Sequence, residues 1–304
     1  MKIYIIGAGA IGKTLAVCLS LNGSDVQVIR GSVDEGSEYV EKFTLYLKSG
    51  EVLTSDIKIN YLNSCSTFDG LIILANKSFG NRELAKKLKD KAKNTPLVIL
   101  QNGLNIEQSF LNRDFQEIYR CVLFATCQNI TPNEISYKPV APSPIGIIKQ
   151  HSSLLKPIVD ILNTPNFGFV SEDNIEKIIW KKAIANCVFN SICPLLEVDN
   201  GIFYRDAHAF EIAKSIIREC TLIANNNGIG LTVKEVEEQV ISISKMSEGQ
   251  FISTLQDIRN NRKTEIESLN LEVYRMAKQM NLESKVQQTK LLGDLVMIKS
   301  ELNQ

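Results

Sequence analysis

Three polar side chains recur every four residues in the stretch IEKIIWKKAIANCVFNSIC: Lys182, Asn186 and Asn190. At about 100° per residue, this spacing keeps all three near one face of a helix. Their neighbours Ala183, Ile184, Ala185, Cys187, Val188 and Phe189 are small or apolar, so the helix is expected to be buried on most sides. Buried amides cost stability unless they are paired. A single residue of this kind is explained by a lysine reaching to solvent or an asparagine bonded to a loop. Three on one face suit a cleft that takes a small, polar, anionic substrate.

Other residues narrow the chemistry. The chain has two histidines, His151 and His208, both in ordinary polar surroundings (KQHSS and RDAHAF). A general acid in this protein is therefore expected to be Lys or Glu, although His is the commonest choice elsewhere. Seven cysteines, at 18, 65, 121, 127, 187, 193 and 220, form an odd set without a C-x-x-C pair. Neither a disulfide framework nor a metal site is indicated, and reduced, mostly buried thiols are expected. A second polar constellation lies in STLQDIRNNRKTEIESLN, where Ser253 and Glu265 begin two helical stretches. Taken alone, Ser253 is a helix N-cap and Glu265 a first-turn acid after Thr264, both purely structural roles.

The third constellation is GAGAIGKT, Gly7 to Thr14, which satisfies two phosphate-binding patterns. It matches G-x-G-x-x-G, the dinucleotide fingerprint, and G-x-x-x-x-G-K-T, the nucleoside triphosphate loop. The triphosphate reading needs an aspartate at the end of an apolar strand to hold magnesium. GLIILANK and LVILQNG supply none. The dinucleotide reading needs a residue about 20 positions beyond the glycines to read the adenosine ribose. DVQVIRG places Arg30 there, and a guanidinium suits a ribose that carries a 2′-phosphate. Asp34 and Glu35 follow closely and weigh against that preference. On this reading Gly7 makes the tight turn, Gly9 admits the pyrophosphate and Gly12 lets the helix pack close. Ala8, Ala10 and Ile11 complete the loop, and Lys13 and Thr14 are incidental.

These residues need elements to position them. From residue 2 to about 172, strand-like runs (KIYII, DVQVI, GLIILA, PLVILQ) alternate with helix-like ones (IGKTLAVCLSL, NRELAKKLKDKA). That order implies a doubly wound parallel sheet, hence an α/β fold. TLYLKSGEVLTSDIKIN is a hairpin turning at Ser49-Gly50, and IYRCVLFATCQNI, EISYKP and SPIGIIK are further strands of an antiparallel extension. From Asn174 onward nearly every segment has helical period. The expected domains are therefore 1–172, binding the dinucleotide, and 173–304, all helical, carrying the substrate site.

The totals exclude several classes. With 304 residues, of which 44% are hydrophobic, the chain can build two cores. Lys plus Arg equals Asp plus Glu at 34 each, so nothing favours nucleic acid or an anionic membrane. The opening MKIYIIGAGAIG has an apolar run of only four residues, too short for a secretory core or a membrane span. A cytoplasmic location is expected.

Together these segments resemble the ketopantoate reductase (2-dehydropantoate 2-reductase) family along nearly the whole chain. The likeness is carried by GAGAIG, Lys77 in ILANKSF, QNG at 101 to 103, the W-x-K-x3-N-x3-N pattern from Trp180 to Asn190, and STLQDI with TEI at 253 to 266. The resemblance implies a Rossmann-type NADP(H) domain, a helical domain closing over it, and reduction of a 2-oxo acid. It implies that Lys182 is the general acid and that Glu265 holds the distal substrate hydroxyl. Asn186, Asn190 and Ser253 match substrate-binding positions, and Asn102 matches the asparagine near the nicotinamide and the reacting oxygen. Arg30 and Lys77 match the pair that meets the 2′-phosphate. One segment departs from the family pattern: FATCQNITPNEISYKPVAPSPIGI lacks His and has a single Gly.

The expected activity is NADPH-dependent reduction of ketopantoate to pantoate, serving pantothenate and coenzyme A synthesis. Two alternatives remain open at this level: a reductase of another branched 2-oxo acid or an opine-type dehydrogenase, and a non-catalytic NADP-binding sensor. The final helices leave a homodimer open, since their apolar faces suit an interface or a core equally.

Overall fold

The structure is a computed structural model and describes residues 1–31, 36–92, 94–150 and 155–302. Asp34, Glu35 and His151, considered above, lie outside the described residues. The chain forms two compact units, one of residues 1–101 and 106–175, the other of 102–105 and 176–304. The short segment Asn102–Asn105, placed by its position in the chain with the first unit, clusters instead with the second.

The first unit runs β1 (Lys2–Ile6), α1 (Ala10–Leu21), β2 (Val26–Arg30), β3 (Tyr39–Leu47), β4 (Val52–Tyr61), β5 (Gly70–Leu74), α2 (Asn81–Lys89), β6 (Leu97–Ile99), α3 (Gln108–Leu111), β7 (Ile118–Cys121), β8 (Ala125–Asn129), β9 (Glu134–Pro139), β10 (Ser143–Lys149), α4 (Leu155–Leu162) and β11 (Phe169–Ser171). The strands make one mixed sheet in the order β11-β10-β7-β6-β5-β1-β2-β4-β3-β9-β8. From β7 to β4 neighbouring strands are parallel. Side chains of a strand alternate between faces, and β1 divides its residues accordingly. Ile3 and Ile5 join Leu15 and Leu19 of α1 in one core, while Tyr4 and Ile6 join Phe68, Leu84 and Leu88 in the other.

The extension is more dispersed than its sequence suggests. β3 and β4 pair antiparallel, with Gly50 at φ +89° in the turn between them. IYRCVLFATCQNI does not make one strand: IYRC becomes β7, beside β6, while ATCQN becomes β8, at the far edge of the sheet. β9 pairs parallel with β3, and β10 pairs antiparallel with β7. The segment that departs from the family pattern thus spans both sides of the sheet.

The second unit contains α5 (Ile175–Leu196, its first residue in the other unit), α6 (Ile202–Arg205), α7 (Ala207–Asn226), α8 (Val233–Met246), α9 (Ser253–Arg259), α10 (Asn270–Gln279) and α11 (Gln287–Leu302). Local signals set several helix starts. Asp206 caps α7 by accepting the Ala209 N–H at 2.8 Å, and Thr232 with Glu235 forms a capping box on α8. α5 is buried almost throughout, with Ile184, Cys187, Val188 and Cys193 fully enclosed. No helix among the described residues is long and apolar enough to cross a membrane.

Candidate active site

The glycine loop connects β1 to α1, as a nucleotide loop requires. Gly7 has φ +124°, and a Cβ there would stand 2.5 Å from the Asn76 backbone nitrogen. A Cβ on Gly12 would stand 2.0 Å from the Gly7 carbonyl oxygen. Both positions therefore exclude side chains because the loop, helix and β5 are packed together. Gly9 is different: nothing lies within 4 Å of the place its Cβ would take. It is also the N-cap of α1, without a side-chain cap, so the first-turn amides and the helix dipole face open space. A bare helix N-terminus behind an unobstructed glycine fits a pyrophosphate.

Lys13 and Thr14 resolve the second pattern. Lys13 Nζ donates to the Pro132 carbonyl at 2.5 Å and lies 5.0 Å from the centre of the Phe43 ring. Burial lowers its pKa, opposed by Glu41 and reinforced by Arg30. Thr14 is fully buried. The Lys13 amine is thus engaged within the protein and the Thr14 side chain is enclosed, so neither is offered to a triphosphate.

Arg30 ends β2, and Lys77 follows β5 as N-cap of the 3₁₀ turn Ser78–Gly80. β2 and β5 flank β1 on its two sides and run parallel to it, so the two cations and the glycine loop all follow the C-terminal ends of adjacent central strands. The Arg30 Nη1 donates to the Tyr39 hydroxyl at 3.2 Å, a bond that raises the guanidinium pKa further. Behind Lys77, Gln101 donates to Asn76 Oδ1 at 3.1 Å and to Asn81 Oδ1 at 2.9 Å, and Asn81 donates to the Ile106 carbonyl at 2.9 Å. These amides tie the ends of β5 and β6 together and hold the Lys77 loop.

The second unit contains an open cavity of about 350 Å3, a volume that includes solvent at its mouth. It is lined by Asn102, Lys182, Asn186, Asn190, Ser253, Thr254, Glu265 and Leu269. Every residue expected to be catalytic or substrate-binding is among them. The helical spacing on α5 produces the row: Lys182 and Asn186 are half-buried, whereas Asn190 is only 4% exposed.

Tertiary contacts deliver the remaining lining residues. The Leu104 N–H bonds to the Ser268 carbonyl at 2.9 Å and Asn105 Nδ2 to Glu272 at 2.8 Å, and these fix the segment bearing Asn102. Gly103 at φ +119° and Asn105 at φ +53° allow its sharp course. Ser253 is the first residue of α9 and is not its cap: Ile252 holds that position and no side chain caps the helix. The Ser253 hydroxyl faces Asn190 Oδ1 at 3.5 Å, while the Thr254 hydroxyl donates to the same oxygen at 2.7 Å. Glu265 is likewise not in the first turn of an α-helix. It precedes the 3₁₀ turn Ile266–Ser268, and α10 begins only at Asn270. The loop that returns it to the cavity is closed by Asp257, whose backbone carbonyl accepts the Arg262 N–H at 2.8 Å and whose carboxylate pairs with the Arg262 guanidinium at 3.1 Å.

Thr254 and Leu269 are lining residues that the sequence did not single out. Both are buried, and in one dimension each looks like an interior helix position. Cys187, adjacent to the polar row, takes no part as a nucleophile: complete burial pushes its thiol well above the ordinary range. Burial also raises Cys18 and Cys193 to about 12 and Cys127 to about 11.

Comparison with known proteins agrees with this geometry. The family model described as ketopantoate reductase PanE/ApbA matches residues 3–147, and its C-terminal counterpart matches 174–296. The 2-dehydropantoate 2-reductase of Pyrococcus horikoshii is 29% identical over 99% of this chain and 98% of its own. That of Pyrococcus abyssi is 28% identical over 93% of each. Among solved structures, a PanE/ApbA family ketopantoate reductase from Ralstonia eutropha has a TM-score of 0.83 at 21% identity, covering 100% of this chain and 99% of that one. A D-mandelate dehydrogenase solved with NADH and anilino(oxo)acetate has a TM-score of 0.85 at 24% identity, with the same coverage. A ketopantoate reductase from Staphylococcus aureus, described as dimeric, has a TM-score of 0.80 at 20% identity over the whole of both chains. At these identities the structures establish a shared fold, and the family models with the full-length relatives establish membership: the chain belongs to the ketopantoate reductase family.

Proposed function

We propose that the protein is an NADP-dependent 2-dehydropantoate 2-reductase, which reduces ketopantoate to pantoate in the cytoplasm for pantothenate and coenzyme A synthesis. The observation that carries this reading is the cavity that gathers one amine, three amides, two hydroxyls and one carboxylate. Ketopantoate needs such a set: a carboxylate and a keto oxygen at one end, a quaternary carbon with two methyl groups, and a hydroxyl at the other end.

NADPH, when bound, supplies a hydride to the keto carbon. The glycine loop Gly7 to Gly12 would hold its pyrophosphate, and Arg30 with Lys77 its 2′-phosphate. Lys182 donates a proton to the keto oxygen, and its ammonium stabilises the charge that develops there. Asn102 orients that oxygen, while Asn186, Asn190 and Ser253 hold the substrate carboxylate and hydroxyl by hydrogen bonds. Glu265 accepts from the distal hydroxyl. Leu269, an aliphatic side chain of the lining, faces the two methyl groups. The partners are a small 2-oxo acid and a second copy of the chain in a homodimer, a reading supported by the Staphylococcus aureus ketopantoate reductase described as dimeric.

The test is loss of NADPH absorbance with ketopantoate, run beside NADH and beside 2-oxoisovalerate, which lacks the distal hydroxyl. Fast loss confined to NADPH with ketopantoate supports the assignment. Equal rates with 2-oxoisovalerate would move the function to another branched oxo acid.

A further inference from the structure

α11 carries four large apolar residues on the face turned away from the protein, while Val296 and Met297 pack inward with Ile258 and Ile266. Its buried positions are Thr289, Gly293, Val296 and Ser300. Leu291, Leu295, Ile298 and Leu302 are instead 57, 41, 49 and 81% exposed. Both sets repeat at intervals of four, three and four residues. At about 100° per residue they form two narrow stripes on opposite sides of the helix. A surface helix that packs only inward has the reverse distribution, with its aliphatic stripe toward the core. The outer stripe has the interval of a coiled-coil seam, with Leu291 and Ile298 at d and Leu295 and Leu302 at a.

The flanks of that stripe say what covers it. Asp294 and Glu301 lie along one side, at g, and Lys299 lies along the other, at e. Asp294 and Lys299 are 31% and 24% exposed and pair within the chain with Lys290 and Glu197. Two antiparallel copies would set acid against acid on one flank and Lys299 against Lys299 on the other. Two parallel copies set Asp294 of each chain opposite Lys299 of the other, five residues further on, which is the g-to-e′ pairing of a parallel seam. The same patch serves both chains, as a twofold interface requires.

We infer that the outer stripe of α11 is the dimer interface, occupied by α11 of a second copy in parallel, in-register packing. The inference rests on the homodimer proposed above and names its surface. Light scattering during gel filtration of the full chain should show a dimer, and L295K/I298K should weaken self-association at least a hundredfold while circular dichroism stays unchanged. A dimer that persists in the folded double variant would overturn the surface and leave the homodimer standing; a wild type that stays monomeric at 100 µM would overturn both. L295C provides the register test and does not depend on the folding of the lysine variant. Parallel packing places this residue against its own copy, so mild oxidation should yield a covalent dimer. A non-covalent dimer of L295C that fails to cross-link would overturn the parallel arrangement.

Discussion

The Thr254 hydroxyl donates to Asn190 Oδ1 across 2.7 Å, between α9 and α5, with both residues almost wholly buried. An amide oxygen so engaged turns its nitrogen to the remaining space, which is the cavity. Thr254 is therefore a positioning residue for Asn190. Thr254→Val should raise KM for ketopantoate roughly 2- to 10-fold, the worth of one neutral hydrogen bond, with a smaller change in kcat. Thr254→Ser should restore KM, whereas a purely steric role would leave Val the better replacement.

Among the described residues, Lys182 is the one amine that lines the cavity. Lys182→Ala should lower kcat about 10²- to 10⁴-fold, the usual contribution of a general acid, with NADPH binding nearly intact by fluorescence titration. A variant that kept most of its rate would assign the proton donor elsewhere.

Glu265 distinguishes substrates. Glu265→Gln should reduce kcat/KM for ketopantoate about 10- to 100-fold, because it loses a charge-assisted hydrogen bond. Turnover of 2-oxoisovalerate, without a distal hydroxyl, should not change. Equal losses on both substrates would make Glu265 a structural residue.

Arg30→Ala tests the cofactor. Its KM for NADPH should rise about 10- to 100-fold while KM for NADH stays the same, since only the 2′-phosphate is lost as a partner. A parallel rise for both cofactors would place Arg30 in the support of β2 and not at the phosphate.

Asp199 gives the second unit an acid-sensitive tie. Its carboxylate receives both guanidinium nitrogens of Arg205 and the N–H groups of Gly201 and Gly249, and the Arg205 hydrogen bonds above all hold its pKa well below the usual range. A depressed carboxylate pKa contributes stability above the unfolded value of about 3.9 and loses it as pH falls toward the folded one. Asp199→Asn should therefore lower Tm at pH 7, by about 2–4 °C for each kcal/mol the tie supplies. The difference from wild type should be constant between pH 6 and 8 and narrow below pH 4. A difference that is the same at pH 3 would mean that the ion pair adds nothing.

Much of this architecture is legible in the sequence itself. β1, β2, β5 and β6 follow from short apolar runs between glycines and helical stretches, and the Lys182, Asn186 and Asn190 row follows from helical spacing. Local pattern misled where two roles share one signal. Ser253 and Glu265 stand where a cap and a first-turn acid belong, yet Ile252 caps α9 and Glu265 precedes a 3₁₀ turn. IYRC and ATCQN are separated by only Val122, Leu123 and Phe124 in sequence, but they pair at distant positions in the sheet.

The amino-acid order alone determined the element types, the glycine loop and the face on which α5 carries its polar row. These depend on backbone sterics and on periods of two and 3.6 residues, which act over a few neighbours. Only the tertiary structure decided that Asn102 joins the second unit, that Thr254 and Leu269 complete the cavity, and that Lys13 turns to Pro132. Those outcomes depend on hydrogen bonds and packing between residues tens to more than a hundred positions apart, and no local pattern encodes which distant partner a buried polar group will find.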